Sequence, residues 1–131
     1  MVSQFRLDLD HDPASAPVAR RGVLSFLQEV WPDYVSDPAG ADLLDDVAIV
    51  VSELVGNAVR HGRPPVRVEV EADDAEGTHV VRLACHDSGP WDGTPSRPEG
   101  GRGFVLVRGL AAEVRIDADT THTIVGATLV R

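Results

Sequence analysis

One long segment, from Asp37 to Gly62, constrains the fold more than any other. Leu43, Leu44, Val47, Val51, Leu54, Val55 and Ala58 recur there at three- and four-residue intervals. Residues so spaced fall on one side of an α-helix, which must then be buried. Asp37-Pro38 is a helix start, with aspartate as N-cap and proline at the first helical position. Gly62, with Pro64 and Pro65 beyond it, is the stop. The same helix carries a second stripe, because Glu53, Asn57 and His61 are four apart and share a face. A carboxylate, a carboxamide and an imidazole aligned on a mostly buried helix suit one wall of a cavity for a charged ligand.

The flanking segments define the layers around that helix. Phe5, Leu7 and Leu9 alternate with polar residues, which predicts a half-buried strand, and His11-Asp12-Pro13 breaks it. Ser15 is the expected N-cap of a first helix whose stripe is Val23, Leu24, Leu27, Val30 and Trp31, ending near Trp31-Pro32. Val66, Val68 and Val70 alternate with Arg67, Glu69 and Glu71 as a second strand, and Asp73 to Gly77 reads as a turn. Thr78 to His86 is more uniformly apolar, hence a central strand. Ser88 to Gly103 is too rich in glycine and proline for regular structure. A short helix over Phe104–Leu110 follows. Val114 and Ile116, then Thr123 to Val130, predict two closing strands joined through Asp117 to His122. This order predicts an α+β fold: a two-layer sandwich in which one mixed sheet is covered on one face by helices, as a single domain over 1–131.

Charge and cysteine usage narrow the function classes. A net charge of −9 argues against a direct nucleic-acid surface, which would need a basic stripe to neutralise phosphates. The single cysteine, Cys85, excludes an internal disulfide and fits a reducing compartment, as a small apolar residue of a strand. The start, Met1 to Arg6, lacks the basic-then-apolar pattern of a secretion signal, and no apolar run is long enough for a membrane. A cytoplasmic protein with a small-molecule or protein partner is expected.

Three separated segments carry chemistry. Asp87 ends the central strand and is followed by Ser88-Gly89, so a carboxylate meets a pocket where the backbone turns. An ionised carboxylate only accepts hydrogen bonds and suits an exocyclic amine such as that of adenine. Gly100-Gly101-Arg102-Gly103 leads into a helix whose first amides point outward unpaired, a phosphate cradle to which Arg97 or Arg102 adds charge. On the long helix, the Asn57 carboxamide oxygen is a hard ligand suited to Mg²⁺, and Glu53 is placed to take a proton from an attacking hydroxyl. Each has an ordinary alternative: a turn, a surface loop, a solvated glutamate, a hydrogen-bonded core amide. Their coincidence in one chain favours the functional reading.

Glu53-x-x-x-Asn57-Ala-x-x-His61-Gly62, Asp87-x-Gly89 and Gly101-x-Gly103-Phe104-x-Leu106-Val107 resemble the N, G1 and G2 boxes of the Bergerat ATP-binding fold. The small single-domain form resembles the anti-sigma factor serine/threonine kinases of bacteria. The resemblance covers about the whole chain and implies ATP and Mg²⁺ as cofactors. It implies Asn57 as Mg²⁺ ligand, Asp87 on the adenine amine, and Gly89 leaving room for the base. It further implies Gly101, Arg102 and Gly103 along the triphosphate, Thr123 as the closing threonine beside adenine, and Glu53 as catalytic base. His61 braces the helix end. The implied partners are a sigma factor and a STAS-domain antagonist phosphorylated on serine or threonine, with a homodimer as the common assembly. The sequence departs from the pattern at Trp91, which stands where the second glycine of the G1 box belongs. Phe104 replaces the usual leucine, Pro95 and Pro98 lie in a short lid, and no run of small residues precedes the last threonine. These departures define the alternative, a nucleotide-sensing interaction module with weak catalysis. A histidine-kinase catalytic fragment fits less well, since the chain starts at the first strand without a helix bearing a phospho-accepting histidine.

Overall fold

A computed structural model describes residues 1–90 and 101–131, with side chains described outside 101–104. The chain order is β1 (Val2–Leu9), α1 (Ser15–Val30), α2 (Pro32–Ser36), α3 (Pro38–His61), β2 (Val66–Ala75), β3 (Thr78–Asp87), α4 (Gly101–Leu110), β4 (Glu113–Ala118) and β5 (Thr123–Val130). The strands form one sheet in the order β1-β2-β3-β5-β4. The α+β two-layer fold is therefore present, but the expected mixed sheet is antiparallel at every pairing. The reason is topological. A single crossover helix returns the chain for a parallel neighbour, whereas α1 and α3 together carry it across and back, so β2 runs against β1. After α4 the chain does enter β4 parallel to β3, but β5 inserts between them, and no parallel pair forms.

Strand alternation sorts the sheet into two faces. Val66, Val68, Val70 and Ala72 of β2, Val81, Leu83 and Cys85 of β3, and Val125, Ala127 and Leu129 of β5 are buried. They meet Ala19, Val23 and Leu27 of α1, Leu43, Val47, Val50, Val51, Leu54, Val55 and Ala58 of α3, and Val107 of α4 in one core. Phe5 of β1 stacks on Phe26 of α1 with centroids 5.3 Å apart, closing the core at the β1 edge. Arg67, Glu69, Glu71, Arg82 and His86 alternate onto the opposite face. The central position of β3 is as expected.

Local details correct the sequence reading. Ser15 is not the N-cap: α1 is entered through Ala14, and the Ser15 hydroxyl donates to the carbonyl of Asp10. Asp12 holds this turn instead, its Oδ1 accepting the Ala14 N–H at 2.7 Å. Asp37 does stand at the cap of α3 with Pro38 behind it, yet makes no side-chain capping bond. The short α2 was not expected. It opens on a proline at its first turn and packs Tyr34 against the ring of His79, centroids 3.5 Å apart. The β2–β3 turn is also tighter than Asp73 to Gly77, since pairing continues to Ala75↔Thr78 and only Glu76 and Gly77 turn. Both have positive φ, 53° and 81°, the geometry whose twist matches a two-residue hairpin. A cis Pro64–Pro65 bond lies between α3 and β2. Among the described residues no helix is long and apolar enough to cross a membrane.

Candidate functional site

The end of the sheet where β3 stops joins three segments distant in sequence. Asp87 is the last residue of β3 and only 6% exposed. A carboxylate so buried needs donors, and two backbone amides supply them. Oδ1 accepts the Gly89 N–H at 2.7 Å and lies 3.4 Å from the Arg63 N–H donor beyond α3. Thr123, the first residue of β5, sits directly opposite Asp87 in the ladder and is equally buried. Its hydroxyl donates to the Gly89 carbonyl at 2.8 Å, and the Ser88 N–H donates to the Arg63 carbonyl at 2.9 Å. The loops after α3 and β3 are thus stitched together around one carboxylate. Both bonds go to Oδ1, and Oδ2 receives none from a described residue.

Gly62 makes this closeness possible. It follows α3 in an extended conformation, φ −94° and ψ −166°, so it is not the left-handed residue that often ends a helix. Its role is spatial. A Cβ there would collide with Asp87 Cγ and would lie 2.6 Å from both Asp87 Oδ1 and the Ala58 carbonyl. Gly62 and the backbone of Arg63 are site elements that sequence reasoning did not assign. The glycine was read as a helix stop and as the end of the first motif, with no spatial role, and a backbone donor leaves no sequence signal.

The polar stripe of α3 is present as expected. Glu53 and Asn57 are half-buried on a helix otherwise packed into the core, and neither side chain hydrogen-bonds another described residue. A free carboxamide oxygen beside a buried wall fits a hard cation that keeps most of its waters. Among the described residues no group of three or more His, Cys, Asp or Glu converges to hold a metal. His61 is exposed at the last position of α3 with Arg60 beside it, where positive charge complements the helix dipole. α4 packs against α3 and begins at Gly101 rather than at Phe104, so Gly101, Arg102 and Gly103 form its first turn. The Arg102 side chain, Arg97, Trp91 and the lid prolines lie outside the described residues. Next to the site, Cys85 is 3% exposed, and burial, reinforced by the charge of Asp87, pushes its thiol up to about 12. It is packing, not a nucleophile.

Comparison with known proteins agrees with this architecture. A structure of the RsbU and RsbW domains of Rv1364c from Mycobacterium tuberculosis superposes with a TM-score of 0.64 at 24% identity over 98% of this chain. The chain spans about a third of that protein, 33% of its length, and at this identity the likeness shows the fold. The histidine kinase domain of the blue-light activated histidine kinase from Erythrobacter litoralis EL346 aligns over 66% of the chain and 43% of its own, with 26% identity and a TM-score of 0.47. The Acinetobacter baumannii histidine kinase AdeS aligns over 95% and 66%, with 10% identity and a TM-score of 0.48. No curated protein matches. The model of the histidine kinase-like ATPase domain matches residues 10–129, nearly the whole chain, and the protein therefore belongs to that family.

Proposed function

We propose that the protein is an ATP-dependent anti-sigma factor kinase that phosphorylates a STAS-type antagonist on serine or threonine, in the cytoplasm, and binds a sigma factor. The observation that carries the reading is the Asp87 carboxylate, buried and oriented by backbone amides beside Thr123, in a chain of the ATPase family. Asp87 Oδ2 accepts the exocyclic amine of adenine, and Thr123 and Gly89 bound the base. The first turn of α4, with Gly101, Arg102 and Gly103, faces the triphosphate with its unpaired amides. Asn57 would hold Mg²⁺, which when bound neutralises charge on the transferring phosphoryl group. Glu53 takes the proton of the attacking serine or threonine hydroxyl. The oxygen of that hydroxyl bonds to the γ-phosphorus, the bond from phosphorus to the bridging oxygen breaks, and ADP leaves with its electron pair.

Calorimetric titration with ATP, with and without Mg²⁺, tests the pocket. Mg²⁺-dependent binding in the wild type that is lost in Asn57→Ala supports the assignment, and unchanged affinity overturns it. Glu53→Ala should bind ATP normally and transfer phosphate about 10²-fold or more slower. Trp91, at the position of the second G1 glycine, favours a second reading, a nucleotide-sensing module with little transfer. ATP binding without phosphorylation of any STAS domain would decide for it.

A further inference from the structure

We propose that His86 and His122 form a two-imidazole site for a divalent transition-metal ion of the zinc class, on the sheet face turned away from the helices. Alternation along β3 sends Cys85 and Asp87 toward the helices and His86 to the other side. His122 directly precedes Thr123 and meets it there: His86 Nδ1 and His122 Nε2 are 3.3 Å apart, with the rings inclined at 55°. Two nitrogens each ~2.0–2.1 Å from one tetrahedral ion are themselves about 3.3–3.4 Å apart. The observed spacing therefore admits a shared ion with little rearrangement.

The far side of His86 is built as metal-binding imidazoles usually are. Its Nε2 lies 3.0 Å from Glu69 Oε1. A carboxylate accepts only, so in the tautomer with its proton on Nε2 the lone pair of His86 Nδ1 faces His122. A carboxylate on the second nitrogen is the common orienting partner of a ligating histidine. The His86 side chain is 14% exposed, which limits its rotamers, whereas His122 is half-buried at the rim and leaves water a route to the remaining positions. Among the described residues no third His, Cys, Asp or Glu joins the pair to hold an ion, so water completes the shell. Arg67 Nε is 3.1 Å from the same Glu69 oxygen without hydrogen-bonding it, and places a positive charge that weakens cation binding. Imidazole nitrogen selects zinc-like ions over Mg²⁺, so this site and Asn57 take different metals. An ion here would tie together the ends of β3 and β5, the strands that present Asp87 and Thr123 on the opposite face.

The test is titration of the whole, untagged protein with Zn²⁺ in the absence of nucleotide, followed by calorimetry and by the ring-nitrogen resonances of its histidines. The expected result is one equivalent bound, with shifts confined to His86 and His122. His86→Gln and His122→Gln should each weaken binding at least ten-fold, while His11→Gln, His61→Gln and His79→Gln leave it unchanged. Glu69→Gln should weaken it by about 10- to 100-fold at the same stoichiometry. No binding at millimolar Zn²⁺, or binding that survives His122→Gln at the rim, would overturn the proposal and leave a hydrogen-bonded pair. Should His86→Gln fail to fold, His122→Gln and the wild-type resonances carry the result. ATP affinity does not enter the readout, so the nucleotide reading stands or falls separately.

Discussion

Replacing Gly62 by alanine is the sharpest probe of the site's construction. The new methyl would collide with Asp87 Cγ and lie 2.6 Å from Asp87 Oδ1 and from the Ala58 carbonyl, and ordinary contact begins at 3.4 Å, so the gap must widen by at least about 0.8 Å. Neither neighbour is the free end of a flexible side chain. Asp87 is held by the Gly89 amide at 2.7 Å, and the Ala58 carbonyl already accepts the Gly62 N–H at 2.8 Å. The end of β3 must therefore move away from the end of α3. Overpacking of this kind costs about 1–3 kcal/mol. At roughly 3–5 °C per kcal/mol for a chain of this size, the melting temperature should fall by about 3–15 °C. ATP affinity should fall as well. In the proposed binding mode, a displaced Asp87 would lose a charged hydrogen bond to adenine worth about 1.5–3 kcal/mol, or roughly 10- to 150-fold in Kd. Thermal unfolding without nucleotide and calorimetric titration with Mg·ATP measure the two effects. Gly77→Ala is the control: its φ is 81° but nothing lies within 4 Å of the added methyl. It should cost about 1 kcal/mol in stability and nothing in ATP binding. A Gly62→Ala protein that melts and binds like wild type would refute the close-packing argument.

Other substitutions test the remaining claims. Gly109→Ala, in open space near the end of α4, should raise stability by about 0.5–1 kcal/mol in denaturant titration. Leu43→Ala removes a fully buried side chain of α3 and should cost about 2–5 kcal/mol by the same assay. Cys85 should resist a thiol reagent at pH 8 in the native protein and react once urea is added. Its folded thiol is raised from 9.0 to about 12, so the unfolded state loses that proton first as pH rises. Stability should therefore fall between about pH 9 and 12, and Cys85→Ala should flatten that slope in pH-dependent melting.

Periodicity made the elements legible, because side-chain spacing reports which face is buried. The stripe from Leu43 to Ala58 gave α3, and Val66, Val68 and Val70 gave β2. Three things were not legible. Strand direction depends on how many helices intervene and on which strand inserts beside β3, so the antiparallel order could not be read locally. Ser15 has the chemistry of a cap, but the carbonyl of Asp10 competes for its hydroxyl, and the tertiary partner wins. At the site, Asp87 and Gly89 stood out as a carboxylate and a glycine ending a strand, whereas Thr123 came only from the family resemblance. The donors that orient Asp87 are main-chain amides of Arg63 and Gly89, which any residue but proline would provide.

The floor around Asp87 draws on residues 62–63, 87–89 and 123, with no contribution that one local segment makes alone. No fragment that lacks β5 or the end of α3 can assemble it, so ligand recognition and global folding become one cooperative event. Under the proposed function, a nucleotide bound there would stabilise the whole domain by about 2.7 kcal/mol at a hundred times its Kd. Under the same proposed function, variants damaged far from the floor would regain native structure at saturating ATP.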